Sequence, residues 1–488
     1  MNGLATLLLM AVAADVAWWP QFRGPGGTGI AAPAENPPIE FGPGKRMLWK
    51  TALPSGHSSP VVWEDRIFLT AFDKDTQKLE VLALDRGNGN IRWRRAIPAK
   101  EIEAVHEMSS PATATPAIDR DRVYAYFGSC GLIAFDHDGN QKWTLPLPLV
   151  KVPYGSGTSP ILAGDLLILD RDEGDDPYLL AVDRSSGKVV WKQSQYSELQ
   201  GRPFNSSTPA LWKDEVVVHH RNEIAGFDLA TGARKWWVKT NTQGADSPVA
   251  GPDAIYVGTW FNSGEPDLRV PFPDFETMIK QYDKNHDGVL TADEFPPSFL
   301  TARRIGLEGV RGADQTVPGV RVFRSADRNR DGKVDREEWD AFTRGGSEAP
   351  NEHGLLAIAP GGHGDVTATN IAWKEPRGVP EIPMPLWFKN RVYAVANGGT
   401  VSCMDAKTGK VVFRGRLGSP GAYFSSPVAA GGRIYFASYE GILSVISGAD
   451  QLEVLARNDF EEPIFATPAF AGNSIYVRTP TKLYAFSN

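Results

Sequence analysis

Two stretches of twelve residues place oxygen-bearing side chains at the same spacing. In each, aspartate or asparagine stands at positions one, three and five, glycine at position six and glutamate at position twelve. Calcium takes about six to eight oxygen ligands at flexible distances, and this spacing lets one loop supply most of them. The candidate ligands are Asp283, Asn285, Asp287, Thr291, Glu294 and the Val289 carbonyl in the first stretch, and Asp327, Asn329, Asp331, Asp335, Glu338 and the Lys333 carbonyl in the second.

Both stretches match the EF-hand calcium loop, and the residues beside them predict helices. Phe275, Ile279 and Tyr282 fall on one face of a helix that would enter the first loop. Trp339 and Phe342 are spaced for a helix that would leave the second loop. A solvated turn rich in Asp and Asn would explain one such match, but it explains two in tandem poorly.

Two further features concern how the loops associate. Leu290 and Val334 are apolar at position eight, as expected if the loops pair through a short strand. Pro296 and Pro297 are expected to shorten or kink the helix that leaves the first loop. The loops are also further apart than in a compact EF-hand pair, so the sequence predicts each loop more firmly than their pairing.

A repeated start, Ser/Thr-Pro followed by an apolar strand, organises most of the chain. Most starts recur at intervals of about 40 to 55 residues, the length of a four-stranded blade. The eight starts are Ser59-Pro60, Thr115-Pro116, Ser159-Pro160, Thr208-Pro209, Ser247-Pro248, Met384-Pro385, Ser426-Pro427 and Thr467-Pro468. The fold class predicted is therefore all-β, an eight-bladed β-propeller of four-stranded blades.

Each repeat has a second half with its own pattern. Ala83-x-Asp85 runs through Gly89 to Trp93, and the same pattern ends at Trp143, Trp191 and Trp236. The aspartate and glycine suit a hairpin turn, and the tryptophan suits packing between neighbouring blades.

This pattern resembles the tryptophan-docking repeat of quinoprotein dehydrogenases and their non-catalytic relatives. The lead Trp19-Pro20-Gln21-Phe22-Arg23-Gly24-Pro25 also resembles the start of exported bacterial quinoprotein-like propellers. The resemblance covers most of residues 46–488 and implies the fold. It does not imply catalysis, since the docking motif serves packing.

The repeats also predict the domain organisation. The last repeat is one strand short, and Met47-Leu48-Trp49-Lys50 can supply that strand and close the ring. We expect a signal peptide at residues 1–14, an extended lead at 15–45 and the propeller at 46–488. An EF-hand pair at 265–350 interrupts the fifth blade between a strand at Ile255 to Trp260 and one at Leu355 to Ala359. Since that loop shares a face with the inter-blade loops, we expect the pair, a small α-helical insertion, to overhang the channel mouth.

Polar and aromatic residues just before each innermost strand are expected to ring that mouth. They are His57, His106, Glu107, Tyr154, Arg202, Asn205, Asp246 and Tyr423, with Trp260 beside the insertion. Together they could form a ligand pocket, although channel mouths are wet and hold polar residues without a ligand. Asp170, Asp172, Glu173, Asp175 and Asp176 form an acidic run that is more simply a solvated loop than a cation site. The adjacent His219 and His220 should point to opposite faces of a strand, which disfavours a shared metal.

Charge and terminal sequence limit the partners. The net charge is −7 with no long basic run, so nucleic acid binding is not expected. The apolar stretch from Leu4 to Ala14, with small residues at Ala11-Val12-Ala13, predicts export and is too short to span a bilayer. The two cysteines, Cys130 and Cys403, fall in distant blades, so no disulfide is expected. The chain is expected to be a monomer.

Three functions remain open on the sequence. The favoured one is a calcium-binding, exported binding or scaffold module for a protein or carbohydrate ligand held at the channel mouth beneath the EF-hands. The alternative is a dehydrogenase of alcohols or sugars that uses pyrroloquinoline quinone. The adjacent cysteine pair with which several alcohol-oxidising relatives clamp that cofactor is missing here, and no catalytic residue can be matched. The third is a hydrolase or lyase using His57 or His106 with Glu107 as acid and base.

Overall fold

The described residues form eight blades of four antiparallel strands arranged as a ring, and one blade carries a fifth, parallel strand at its outer edge. A computed structural model describes residues 18–172, 176–194, 206–221, 223–240, 242, 245–261, 265, 268–303, 314–346 and 353–488. First strands contact each other from blade eight through blades one, two and three, and again through blades four, five and six, so these strands line the centre. The eight-bladed propeller predicted from the repeats is confirmed.

The strands follow the repeats closely. Blades one to four comprise Val61–Trp63, Arg66–Asp73, Lys78–Asp85 and Ile91–Ile97; Ala117–Ile118, Arg122–Phe127, Gly131–Asp136 and Gln141–Pro146; Ile161–Ala163, Leu166–Arg171, Tyr178–Asp183 and Val189–Gln193; and Ala210–Trp212, Glu215–His219, Glu223–Asp228 and Arg234–Lys239. Blades five to seven comprise Val249–Ala250, Ile255–Thr259, Gly354–Ile358 and Ile371–Glu375; Leu386–Phe388, Arg391–Ala396, Thr400–Asp405 and Val411–Arg416; and Val428–Ala430, Arg433–Ala437, Ile442–Ser447 and Val454–Asp459.

Blade eight is completed by the beginning of the chain. Its strands are Ala469–Ala471, Ser474–Arg478, Lys482–Ser487 and, outermost, Met47–Ala52. Met47–Ala52 pairs antiparallel with Lys482–Ser487. The predicted closing strand is therefore confirmed, and the last blade has no missing edge.

A belt of hydroxyl groups links the blade starts around the centre. The Ser59 amide donates to Thr115 Oγ1 at 2.9 Å, the Thr115 amide to Ser159 Oγ at 3.0 Å, and so on around the ring. The same bond joins the starts of neighbouring blades at seven of the eight junctions. At the remaining junction Ser247 is followed by Met384, which has no hydroxyl. The hydroxyl oxygen of each Ser or Thr therefore accepts a hydrogen bond from the backbone amide of the preceding blade start. That amide is buried and would otherwise lack an acceptor.

Tryptophans of the outermost strands dock on the turns of the next blade. Trp143 donates from Nε1 to the Arg184 carbonyl at 3.0 Å, and its ring covers Gly187. Trp49, Trp93, Trp191 and Trp373 make equivalent contacts. The predicted inter-blade packing is confirmed at Trp93, Trp143 and Trp191, and the structure adds Trp49 and Trp373, which the pattern did not indicate.

Trp236 departs from this pattern. It is fully buried against Gly226 and donates to Glu215 Oε2 at 2.8 Å, within its own blade. The next blade lacks the usual hairpin turn there. It instead sends a short strand, Gly364–Asp365, and a helical turn (Thr367–Asn370) alongside the edge of blade four.

Substituting Gly187 with alanine is expected to destabilise the protein by about 2–5 kcal/mol. Gly187 has φ +74°, and a Cβ there would lie 2.6 Å from the Trp143 ring. Gly164 is a matched control, since it has φ +60° and no atom within 4 Å of its virtual Cβ. Urea unfolding of both variants isolates the docking contact. Equal losses would show that the docking adds nothing beyond backbone strain.

The extended lead crosses one end of the central channel. This is the end at which the first strand of each blade turns into the second strand. Trp19 pairs with Val62 of blade one, and Ile30 pairs with Ala429 of blade seven. Between them the Ile118 amide donates to the Pro20 carbonyl and the Leu162 amide to Gln21 Oε1. The lead therefore satisfies the inner edges of several blades and covers the channel at that face.

The insertion leaves blade five between its second and third strands, from the face that carries the inter-blade loops. Glu265 Oε1 accepts from the amide of Val379, which lies in the loop between blades five and six, at 3.0 Å. In the described part of the insertion, helices and short paired strands surround a separate apolar core. That it overhangs the channel mouth stays a prediction.

The insertion holds helices α1 (Phe275–Tyr282), α2 (Gly319–Ala326) and α3 (Arg336–Gly346). The two loops pair through Leu290–Thr291 and Lys333–Val334, as the apolar position eight predicts. The expectation of a shortened or kinked helix after the first loop is wrong, because a hairpin of Ser298–Arg303 and Asp314–Pro318 replaces it. Pro296 and Pro297 remove the amides that a helix there would need.

Candidate functional site

The first calcium loop is folded around its own carboxylates. Asp283 accepts from the amides of His286 and Gly288, at 2.7 and 3.0 Å. Glu294 accepts from the amides of Lys284 and Thr291, at 3.0 and 2.9 Å. These hydrogen bonds lower the pKa of Glu294 to about 2. Glu294 is thus ionised, and the carboxylates at positions one and twelve are held at the two ends of one closed loop.

The second loop repeats this arrangement. Asp327 Oδ2 accepts from the Gly332 amide at 3.2 Å, and Glu338 accepts from the Arg328 amide at 3.0 Å. Gly332 has φ +84° and its counterpart Gly288 has φ +81°, so both loops turn where only glycine is free of strain. Asp327 Oδ1 is buried and makes no hydrogen bond. An unpaired carboxylate oxygen inside such a loop fits a calcium ion.

The candidate ligands of each loop are not carboxylates alone. Within the described ranges, no group of three or more His, Cys, Asp or Glu side chains is gathered so as to hold a metal ion alone. Each loop also depends on an asparagine and on a backbone carbonyl, which are hard oxygen donors suited to calcium.

The insertion has a closed aromatic core. Trp339 of α3 is fully buried, and its Nε1 donates to the Pro273 carbonyl at 2.9 Å. Its ring lies within 6.0 Å, centroid to centroid, of the rings of Phe272, Phe295 and Phe299. Phe299 comes from the hairpin that stands in for the missing helix. The face between the helices is therefore already filled.

At the channel mouth, His57 stacks on a residue more than four hundred positions away in the chain. Its ring lies parallel to that of Phe465, with centroids 3.9 Å apart, and Phe465 stacks in turn on Phe424. Burial, with the nearby Arg478 and Lys74, lowers the pKa of His57 to about 3. His57 is therefore neutral at physiological pH and held in an aromatic stack.

The other predicted mouth residues do not join this stack. His106 and Glu107 are exposed, and the His106 ring lies 5.1 Å from that of Tyr154. Asp246 is fully buried, where Oδ2 accepts from the Gly258 amide. The carbonyl of Trp260 accepts from Thr242. Tyr423 is buried and donates to the Ser419 carbonyl, whereas Arg202 and Asn205 lie outside the described residues.

The acidic run of blade three is not a solvated loop throughout. Asp170 and Asp172 are buried, because Asp170 belongs to the second strand and Asp172 follows directly after it. Asp172 Oδ2 lies 3.2 Å from His220 Nδ1, while His219 Nδ1 lies 2.6 Å from the Asp246 carbonyl. Asp176 is exposed, and Glu173 and Asp175 lie outside the described residues. The two histidines face different blades, as expected.

Sequence reasoning missed Glu103, a buried carboxyl in the loop between blades one and two. Glu103 accepts from the amide and hydroxyl of Ser156, at 2.9 and 3.0 Å. Burial raises its pKa to about 7, against the lowering effect of the Ser156 bonds and of Arg171. Its local sequence, Glu101-Ile102-Glu103, has no pattern that separates the buried glutamate from the exposed one.

Replacing Glu103 with glutamine is expected to change how stability depends on pH. The folded-state pKa lies above that of a free glutamate, so the wild type loses stability as pH rises from about 4 to about 7, by ~3 kcal/mol. Glutamine imitates the protonated acid and avoids this loss. We expect urea unfolding to show that the stability of Glu103→Gln relative to the wild type increases between pH 5 and pH 8. The stability of Glu101→Gln is expected to change with pH as that of the wild type does. Parallel curves for Glu103→Gln would contradict the assignment.

The fold and the loops together define a β-propeller with an inserted EF-hand pair, and comparison with known proteins agrees. A family model described as outer membrane protein assembly factor BamB matches residues 43–265 and 362–486. An EF-hand model matches residues 275–295 and 320–343. The first match covers more than half of the chain, so the protein belongs to the BamB family of quinoprotein-like repeats.

Solved structures share the fold at low identity. BamB from Moraxella catarrhalis is 13% identical with a TM-score of 0.51, covering 90% of this chain and 98% of that one. A europium-containing methanol dehydrogenase is 14% identical with a TM-score of 0.55, covering 97% and 98%. A quinohemoprotein alcohol dehydrogenase from Comamonas testosteroni is 13% identical with a TM-score of 0.54, covering 98% and 81%. No curated protein sequence matches the chain.

Proposed function

We propose that the protein is an exported, non-enzymatic binding or scaffold propeller, braced by calcium, that holds a protein partner at its channel mouth. The observation that carries this proposal is the packing of the histidines at the channel mouth and the protonation of His57. His57 is neutral and stacked on Phe465, while the exposed His106 lies 5.1 Å, ring to ring, from Tyr154. The described contacts of His57 are therefore those of a packing residue rather than of a general acid or base.

Calcium in this proposal is structural. In EF-hand sensors, calcium opens a hydrophobic groove between helices. Here Trp339 and Phe299 fill that space, and the hairpin carrying Phe299 covers it. The ligands would be Asp283, Asn285, Asp287, Val289, Thr291 and Glu294 in one loop and Asp327, Asn329, Asp331, Lys333, Asp335 and Glu338 in the other. We propose that both ions fix the insertion in one shape.

The family supports a protein partner. Its description names outer membrane protein assembly, and one solved relative carries the same name. Export fits this setting. Among the described residues, no helix is long and apolar enough to cross a membrane. A carbohydrate ligand is the other outcome that the test below distinguishes.

Site-specific photo-crosslinking tests the partner. A crosslinking residue at Tyr154, half-exposed at the mouth, is expected to give a discrete protein adduct in cells of the source organism. The matched control is the same residue at Val190, which is equally exposed on the outermost strand of blade three. An adduct sensitive to glycosidases would indicate a carbohydrate. Equal labelling from both positions would overturn the mouth as the binding site.

The dehydrogenase alternative rests on the shared fold with two quinoprotein dehydrogenases. It is tested by calorimetric titration of pyrroloquinoline quinone into the calcium-loaded protein. We expect no saturable heat. Binding at micromolar affinity or tighter, followed by dye-linked oxidation of alcohols or sugars, would replace the scaffold proposal.

A further inference from the structure

Arg478 is a fully buried arginine at the end of the second strand of blade eight. Its Nη1 donates to the carbonyls of Ser58 and Thr70 in blade one, each at 2.9 Å. A Cβ on Gly56 would lie 2.4 Å from Nη2, so the guanidinium occupies the space that a side chain would fill. Because Arg478 contacts the residues on both sides of His57, it lies directly behind the aromatic stack of the mouth.

The opposite edge of this guanidinium is unused. Nε and Nη2 of Arg478 are both buried and make no hydrogen bond with any described residue. These two N–H groups point the same way along one edge of the planar group, the fork that receives both oxygens of a carboxylate. Since Nη1 is anchored to two carbonyls, the fork is held in place before any ligand arrives.

The local charge is also uncompensated. Burial lowers the pKa of Arg478 to about 9, which leaves the group cationic at neutral pH, and no carboxylate of the described residues opposes that effect. Arg23, which is also fully buried, differs because Asp246 acts against its desolvation. A buried cation without a counter-charge is costly, and a bound anion would offset that cost.

We propose that the Nε–Nη2 edge of Arg478 binds the carboxylate of a small organic acid behind the His57–Phe465 stack, at the junction of blades eight and one. The neutral imidazole of His57 and the ring of Phe465 form the apolar side of this site. The site does not depend on the EF-hands or on a protein partner. A simple halide shares the negative charge but lacks the paired oxygens, so the two can be told apart.

Titration of the calcium-loaded full chain with formate, acetate and bromide tests the site. We expect formate and acetate to raise the melting temperature saturably and bromide to do so much more weakly. Arg478→Lys keeps the charge but loses the fork, and is expected to weaken carboxylate binding at least ~10-fold. Lys74→Gln is the control for general positive potential near His57, with an expected change below about twofold.

Crystals of the wild type soaked in formate remove the dependence on variant folding. Density for a planar two-oxygen anion on the Nε–Nη2 edge would support the proposal. Water alone on that edge, or equal melting shifts for bromide and formate, would overturn it. These results concern the purified chain, so crosslinking at the mouth can succeed or fail independently of them.

Discussion

Replacing Glu294 and Glu338 together by glutamine is expected to remove high-affinity calcium binding, with at least a ~100-fold loss at each site. In the proposed sites each glutamate is the position-twelve ligand that would supply two oxygens and close its loop, and an amide would supply one oxygen and no charge. The same change is expected to abolish the rise in melting temperature that calcium gives the insertion. Calorimetric titration and calcium-dependent melting of the full chain measure both effects.

Glu337→Gln is the matched control, since Glu337 is exposed, lies beside Glu338 and falls outside the ligand positions. It is expected to bind calcium as the wild type does. A dye for exposed apolar surface separates structural from regulatory calcium. With Trp339 buried in a closed core, calcium should leave dye binding unchanged or lower. A calcium-dependent increase in dye binding would identify a sensor instead.

The calcium loops were predictable because their ligands are close in sequence. Asp283 and Glu294 are held by amides of their own loop, and no distant residue decides that geometry. The structure after the first loop was not predictable in the same way. The proline pair is compatible with a shortened helix, a kinked helix or a hairpin, and tertiary packing selects the hairpin. Phe299 on that hairpin fills the core where a helical residue was expected.

The propeller was predictable from its repeats, but the contacts that close it were only partly so. The pattern correctly indicated Trp143 as an inter-blade contact, yet the same pattern at Trp236 forms an intra-blade contact. The difference arises in the next blade, whose turn has another shape. The hydrogen bonds of the hydroxyl belt were not predicted, although their acceptors belong to the repeat. A Ser or Thr before proline indicates the start of a strand and does not indicate a contact with the neighbouring blade.

The mouth was the least predictable region, because its members come from distant parts of the ring. Position before an innermost strand predicted that His57 belongs to the mouth, but it could not show that His57 would stack on Phe465. Asp246, at the same kind of position, turns inward to accept from the Gly258 amide. Side-chain direction at such positions depends on the residue opposite in the neighbouring strand, which spacing along the chain does not encode.

Replacing Arg23 with methionine is expected to destabilise the protein by about 3 kcal/mol. The fully buried Arg23 side chain donates from Nη1 to the Pro385 carbonyl at 2.9 Å and from Nη2 to the Pro427 carbonyl at 3.1 Å. It thereby ties the lead to blades six and seven, beside the junction where the hydroxyl belt is interrupted. Methionine fills a similar volume but leaves both carbonyls without that donor, and it removes the positive charge that opposes the raised pKa of Asp246.

Urea unfolding of the full chain measures this loss, with Arg120→Met as a control at an exposed arginine. A double-mutant cycle with Asp246→Asn separates the two contributions. If the charge on Asp246 matters, the double variant should be more stable than the sum of the single losses predicts. If only the carbonyl bonds matter, the losses should add. An Arg23→Met variant within about 0.5 kcal/mol of the wild type would show that the lead covers the channel without stabilising the ring.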